Sequence, residues 1–400
     1  MRTACVWFVL CSCALAADWG QVGNGPQHTG YSPETLNAPF KLAWNVQFQP
    51  ERLYPANQAV VADGRVFLGT EGGRLYCLKA SDGSRLWAFP AGEERVGPIL
   101  HAAGVEGGKV FFASMDGCLY ALDAATGTLA WRFESKLRTG FSTAVVLADG
   151  KVLAPNRGGT LFAVKQADGS LAWRADLGCP LLQTPAWNDG RVFIAGMDRR
   201  LRALDGASGK EVWRTDPMKG LAFKDYWPVV HRGLVVVRPM GPWAAAAFDE
   251  KSGKPVDLTI PGGITMNGAV APPCVDAEGK LVTAMDSGWA RVDIATKAID
   301  YISERERRPG KRLGGAGNRD ENMIATACRT TLFVLHCEEG NAQFTGTYDL
   351  ASKRWTQLRG GPWRNLTSNT QGGGAGQASI ADGRVYHVSM HGLRCFVEGK

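Results

Sequence analysis

The chain has 400 residues, a formal net charge of +7, fifty glycines, thirteen tryptophans and ten cysteines. A mild charge carried by basic residues that are spread rather than striped excludes an electrostatic nucleic-acid binder, and no apolar run is long enough to cross a bilayer as a helix. A turn-dense, tryptophan-rich composition without a helical stretch after the N-terminus predicts one large closed β domain.

Residues 1–16 read as an export signal. Arg2 supplies a charge, Ala4 to Leu15 is apolar, and Ala14-Leu15-Ala16 is a small-x-small cleavage site. A second cut stays open: Leu10-Cys11-Ser12-Cys13 resembles a bacterial lipobox, apart from a cysteine at its second position, and would leave a lipid anchor on Cys13. Either reading sends the chain to the periplasm or cell envelope. Residues 17–39 form an irregular lead-in rich in Gly and Pro, and 40–400 a single domain. That domain opens on Phe40 to Val46, where Leu42-Ala43-Trp44 matches Leu129-Ala130-Trp131. It is an outer strand without its first three partners.

A repeat then begins. Leu75 to Trp87 is an alternating strand, a turn on Asp82-Gly83 and a strand ending on Trp. Copies end on Trp131, Trp173 and Trp213, at spacings of 44, 42 and 40 residues. Before each copy stands another hairpin, three of them turning on Asp63-Gly64, Asp149-Gly150 and Asp189-Gly190. Asp-Gly between apolar runs is a two-residue hairpin signal, because both residues must take positive φ. Four strands per period of about forty residues is one propeller blade. Blades five to seven are degraded but countable, around Gly233 to Gly253, Gly279 to Asp293 and Thr331 to Trp355. The C-terminus supplies Asp382 to Val388 and Gly392 to Phe396 and stops before an outer strand. Residues 40–48 are therefore expected to complete the last blade, giving an all-β, eight-bladed propeller with no open edge.

Trp44, Trp87, Trp131, Trp173, Trp213 and Trp355 are assigned as structural. A flat ring on an outer strand covers apolar area on the neighbouring blade while its N–H takes a hydrogen bond. Cleavage of the signal removes Cys5, Cys11 and Cys13, leaving seven scattered cysteines, an odd number and no disulfide framework. A hairpin turning at Arg329-Thr330 sets Cys337 opposite a residue near Asn322 rather than Cys328, so buried free thiols are expected. The six histidines show no metal-ligand spacing. Glu304 to Gly315 is a charged, Gly-rich insertion, either a solvated loop or an anion- or partner-binding lip. Gly372 to Gly376 neither follows a strand nor opens a helix, so it is no nucleotide loop. Asn365-Leu366-Thr367 is a glycosylation sequon by pattern alone.

The Ala121-Leu122-Asp123-x-x-Thr126-Gly127-x-x-x-Trp131 pattern resembles the repeat of the quinoprotein-type, PQQ-like propellers. The lead-in from Trp19-Gly20-Gln21 to Gly30-Tyr31-Ser32 is similar to the start of their exported bacterial members. The resemblance implies two branches. Quinoprotein dehydrogenases hold pyrroloquinoline quinone (PQQ) and calcium over the channel, usually beside a disulfide of adjacent cysteines; the mature chain has no adjacent cysteines and no Cys-x-x-Cys-His haem site. The non-catalytic, BamB-like branch binds partner protein through surface loops. In either, the resemblance puts a ligand site at one mouth of the channel, where this chain carries Arg95, Arg138, Gln183, Lys224, Asp225, Asn267, Asp320, Asn322 and Gln371. Arg95 and Arg138 beside amides would suit a carboxylate-bearing ligand; Asp225 with Asn267 is a thin oxygen set for calcium. The expected role is a monomeric, non-catalytic binding or scaffold module with no cofactor and an envelope or outer-membrane protein as partner. The alternatives are a PQQ- and calcium-dependent alcohol or sugar dehydrogenase, and a small-ligand sensor.

Overall fold

The computed structural model describes residues 17–399 except 55, 221, 240–244, 259–270, 286–287, 303–322, 337–345, 358–376 and 390–391. The signal with Cys13, the 304–315 insertion, the sequon, the 372–376 run, Cys337 and the mouth residues Asn267, Asp320, Asn322 and Gln371 lie outside the described residues.

Eight four-stranded antiparallel sheets make the molecule. After β1 (Phe40–Gln47), blade 1 is β2 (Val60–Ala62), β3 (Arg65–Gly69), β4 (Leu75–Lys79) and β5 (Arg85–Phe89). Strands β6 to β29 build blades 2 to 7 over residues 104–134, 146–176, 186–214, 229–256, 274–301 and 323–357. Blade 8 is β30 (Ser379–Ala381), β31 (Arg384–Ser389) and β32 (Gly392–Glu398), closed by β1. Phe40 faces Glu398, Trp44 faces Cys395 and Gln47 faces Gly392. The ring thus closes through its two ends, as the missing outer strand required. The inner hairpin turns take the left-handed conformation that Asp-Gly provides, with φ of 51° and 68° at Asp63 and Gly64.

A repeated contact joins the blades. Trp44, Trp87, Trp131, Trp173 and Trp213 donate their indole N–H to the carbonyls of Ala80, Ala124, Gln166, Gly206 and Glu250, each in the next blade, at 2.9–3.3 Å. Each ring lies on the turn glycine of that blade: Gly83, Gly127, Gly169, Gly209 and Gly253. Those glycines have φ near +70° and leave no room for a Cβ, so the seam needs Gly on one side where it has Trp on the other. In all five blades a bulge before the Trp sets the register, as between Ala163 and Val164 opposite Trp173.

Trp355 departs from this pattern. Its strand has no bulge, so Trp355 pairs with Tyr348 and Thr356 takes the seam position opposite Thr347. The indole consequently turns back onto blade 6, in a cluster with Trp289 and Ile302. Blades 5 and 6 also lack the seam Trp, carrying Val256 opposite Ala247 and Asp300 opposite Arg291. The next turns lack the glycine in step, with Lys297 and Lys353 in the left-handed conformation instead. Lys297 reaches the Asp257 carbonyl. Asp300 joins a buried network in which Arg291 Nε meets Asp276 at 2.6 Å and Lys280 meets Asp300 at 2.6 Å.

The lead-in, read from sequence only as irregular, lines the inside of the ring and meets the blades in order. Trp19 bridges Val61 of blade 1, and Gly20 O accepts from Val105 N of blade 2 at 2.7 Å. The Gln21 amide both donates to Leu147 O and accepts from Leu147 N of blade 3, at 3.2 and 2.9 Å. The carbonyls of Pro26, Gln27 and Thr29 accept from Trp187, Val230 and Val275 of blades 4, 5 and 6. Gly30 and Ser32 both pair with Ala327 of blade 7, and Glu34 accepts from Gly383 N of blade 8 at 2.9 Å. Innermost strands present one free edge to the channel, and its N–H groups must be paired once water is displaced. The lead-in supplies those partners, and Trp19, Val22 and His28 are buried in consequence.

Candidate functional site

The connections that run from an outer strand to the next inner strand all gather on one face of an up-and-down ring. Five residues on these connections converge near the axis: Tyr54 before blade 1, His101 before blade 2, Gln183 before blade 4, and Lys224 and Asp225 before blade 5. Blades 1 and 5 stand opposite each other in a ring of eight. The hydrogen bond from Tyr54 OH to Asp225 Oδ1, 2.9 Å, therefore spans the mouth. Lys224 Nζ lies 3.0 Å from Asp225 Oδ2, and His101 Nε2 lies 3.9 Å from Oδ1. The Tyr54 and His101 rings are 5.1 Å apart. Asp225 holds φ at +68°, fixed by its N–H on Leu182 O at 2.8 Å, while Thr184 N donates to Tyr226 O at 2.9 Å. Those backbone bonds lock the connection before blade 4 to that before blade 5.

Burial sets the electrostatics. It pushes the Tyr54 phenol above its ordinary range, with the Asp225 charge adding to the effect. Burial holds His101 down to about 4 against the opposing pull of Asp225, so the imidazole is neutral at pH 7. Three buried polar atoms here have no hydrogen-bond partner among the described residues: His101 Nε2, Gln183 Oε1 and Trp227 Nε1. Buried polar atoms are ordinarily hydrogen-bonded, so these are the donors and acceptors a small ligand or ordered water would meet.

The site differs in part from the sequence expectation. Lys224, Asp225 and Gln183 lie at the mouth. Arg95 and Arg138 are exposed and outside the Tyr54–Asp225 cluster: Arg95 donates to its neighbour's carbonyl, Glu94 O, at 2.7 Å and stands 3.8 Å from Glu51. Tyr54 and His101 are the additions. Tyr54 escapes a linear reading because its partner Asp225 lies 171 residues away and is brought to it only across the axis. As a calcium site the described residues do not fit. The Asp225 carboxylate is already occupied by the Lys224 ammonium, and Glu71 acts on Tyr54 through its charge, a thin set where calcium takes six to eight oxygens. No group of three or more His, Cys, Asp or Glu among the described residues could hold a metal. The six described cysteines are free and buried.

Comparison with known proteins agrees with this architecture. The family model described as outer membrane protein assembly factor BamB matches residues 40–178 and 157–287. No curated protein matches the sequence. BamB from Moraxella catarrhalis superposes with a TM-score of 0.55 at 16% identity, over 90% of this chain and 98% of that one. The quinohemoprotein alcohol dehydrogenase ADHIIG from Pseudomonas putida HK5 superposes at 0.60 and 13% identity, over 96% of this chain and 80% of that one. A europium-containing methanol dehydrogenase gives 0.64 at 11% identity, over 95% and 98%. At these identities the structural likeness establishes the fold alone. The family model spans more than half of the chain, and the chain belongs to this family of PQQ-like repeat propellers related to BamB.

Proposed function

We propose that this protein is a non-catalytic binding or scaffold module of the bacterial cell envelope, engaging an envelope or outer-membrane protein through its surface loops. One observation carries the reading: the channel is lined and its mouth bridged by the chain's own residues. The lead-in lines it along the innermost strands, and Tyr54 and Asp225 bridge the mouth above, with Lys224 on the Asp225 carboxylate. Such a wheel keeps its faces and rim for contact with another protein. Membership in the BamB family supports an exported address. The test has two arms. Affinity capture from envelope extract, followed by reconstitution from purified components, is expected to yield a stoichiometric complex with an outer-membrane barrel protein. Dye-linked dehydrogenase activity with PQQ and calcium is expected to stay at background, and tight stoichiometric quinone binding with turnover would overturn the scaffold reading.

A second reading has its own support. The unpartnered atoms of His101, Gln183 and Trp227 favour a small-ligand sensor at the mouth. A ligand bound there must displace the Tyr54–Asp225 bond or bind over it. Asp225→Asn is therefore expected to change ligand affinity at least tenfold, and an unchanged affinity would remove this reading.

A further inference from the structure

Blade 8 carries a buried cation that no described residue neutralises. Arg394 in β32 is 8% exposed, and His387, directly opposite it in β31, is 2% exposed. Arg394 Nη1 and both ring nitrogens of His387 lack a protein partner. Asn45 of β1 lies directly opposite Arg394 on its other side. Residues opposite one another in an antiparallel ladder share a face, so His387, Arg394 and Asn45 form one row, from buried His387 to exposed Asn45. The neighbouring Tyr386 packs on Trp44, whose indole N–H reaches blade 1. Side chains alternate along a strand, so the row faces the other way, toward blade 7.

The same position elsewhere in the ring shows what a buried arginine needs. In blade 4 it is Arg202, 4% exposed, opposite Ile194 and Arg214. Arg202 is held by Asp198, four residues before it, and Glu211 Oε2 stands 3.6 Å from its Nε. In blade 8 the place of Glu211, opposite the residue two after the arginine, falls to Leu42. That carboxylate is replaced by an apolar side chain while the arginine stays. A buried guanidinium without a counter-charge is strongly destabilising. His387 does not share the charge, because burial and Arg394 hold its imidazole down to about 3.

We propose that the seam between blades 7 and 8 binds a small oxyanion, phosphate or carboxylate, on the Arg394 guanidinium, with His387 donating a second hydrogen bond. Charge-assisted bonds from a planar fork suit either anion. The test is calorimetric titration of the full-length mature protein with inorganic phosphate and, separately, with acetate, against chloride at equal ionic strength. The expected result is one saturable site per chain for at least one of the two, with the tighter one naming the anion. Binding is lost in Arg394→Met and retained in Arg202→Met. Arg394→Met is also expected to melt higher than the parent in anion-free buffer, and an excess of phosphate or acetate to raise the melting temperature of the parent only. Absence of binding to the parent, or equal binding to Arg394→Met, overturns the proposal. Failure of Arg394→Met to fold, or a lower melting temperature without anion, overturns it as well, because the guanidinium would then be satisfied within the chain.

Discussion

Each indole seam is a matched pair, and the match can be measured at a single residue. A Cβ at Gly169 would stand 2.8 Å from Trp131 Cδ2, on a backbone with φ of +75°. Gly169→Val is expected to cost about 3 kcal/mol, part from left-handed strain and part from overpacking. Trp131→Ala is expected to cost about 4 kcal/mol through the cavity it leaves. In the Trp131→Ala background the Gly169 change should retain only its backbone part, about 1 kcal/mol, which a double-mutant cycle by urea unfolding reads directly. His101 makes a second test. Its folded pKa of about 4 lies below the unfolded value near 6.5, so between these the unfolded chain binds more protons. Its stabilising contribution is present above pH 6.5 and lost as pH falls toward 4. Urea unfolding of the parent at pH 7, 6 and 5 should show stability falling, and His101→Gln should flatten that slope by up to about 1.4 kcal/mol per pH unit.

At the scale of the element, blade 6, which lacks a seam tryptophan, carries a buried charge network of its own. Arg291 is 1% exposed and is bonded to Asp276, with Glu278 and Asp300 close by. Arg291→Met would leave the Asp276 carboxylate buried and unpaired, and is expected to cost about 3–5 kcal/mol by denaturant unfolding. Arg291→Met with Asp276→Leu should recover much of that loss, because removing both charges restores an apolar contact. The lead-in belongs to this scale too. It has no regular structure of its own, yet its carbonyls pair successive inner strands, so its conformation is imposed by the ring it lines.

For the whole molecule, closure through β1 decides whether there is a wheel or an open arc. Removing residues 17–47 would uncover the full length of β32, from Gly392 to Glu398, and the inner edges along the axis. An exposed strand edge recruits other chains. The shortened protein is expected to self-associate with rising concentration in sedimentation or size-exclusion measurements. A synthetic peptide of residues 17–47 should reverse this by restoring the missing strand.

Period, strand count and the exchange between the termini could be read from residues alone, because they rest on local signals: Asp-Gly turns, alternating apolar runs, and tryptophans recurring at about forty residues. Lys224 and Asp225 were expected at the mouth only through the family resemblance, not through local pattern. Local pattern misled at Trp355, where one absent bulge turns the ring to the opposite face. It was silent on Tyr54, His101 and the buried cation Arg394. Those depend on which segments meet once the ring is shut: Tyr54 and Asp225 are 171 residues apart in sequence and joined by one hydrogen bond. Turn chemistry and strand alternation act between near neighbours and so leave a mark along the chain. Pairing across the axis, and the presence or absence of a counter-charge beside a buried arginine, arise only from packing, and packing alone decided them.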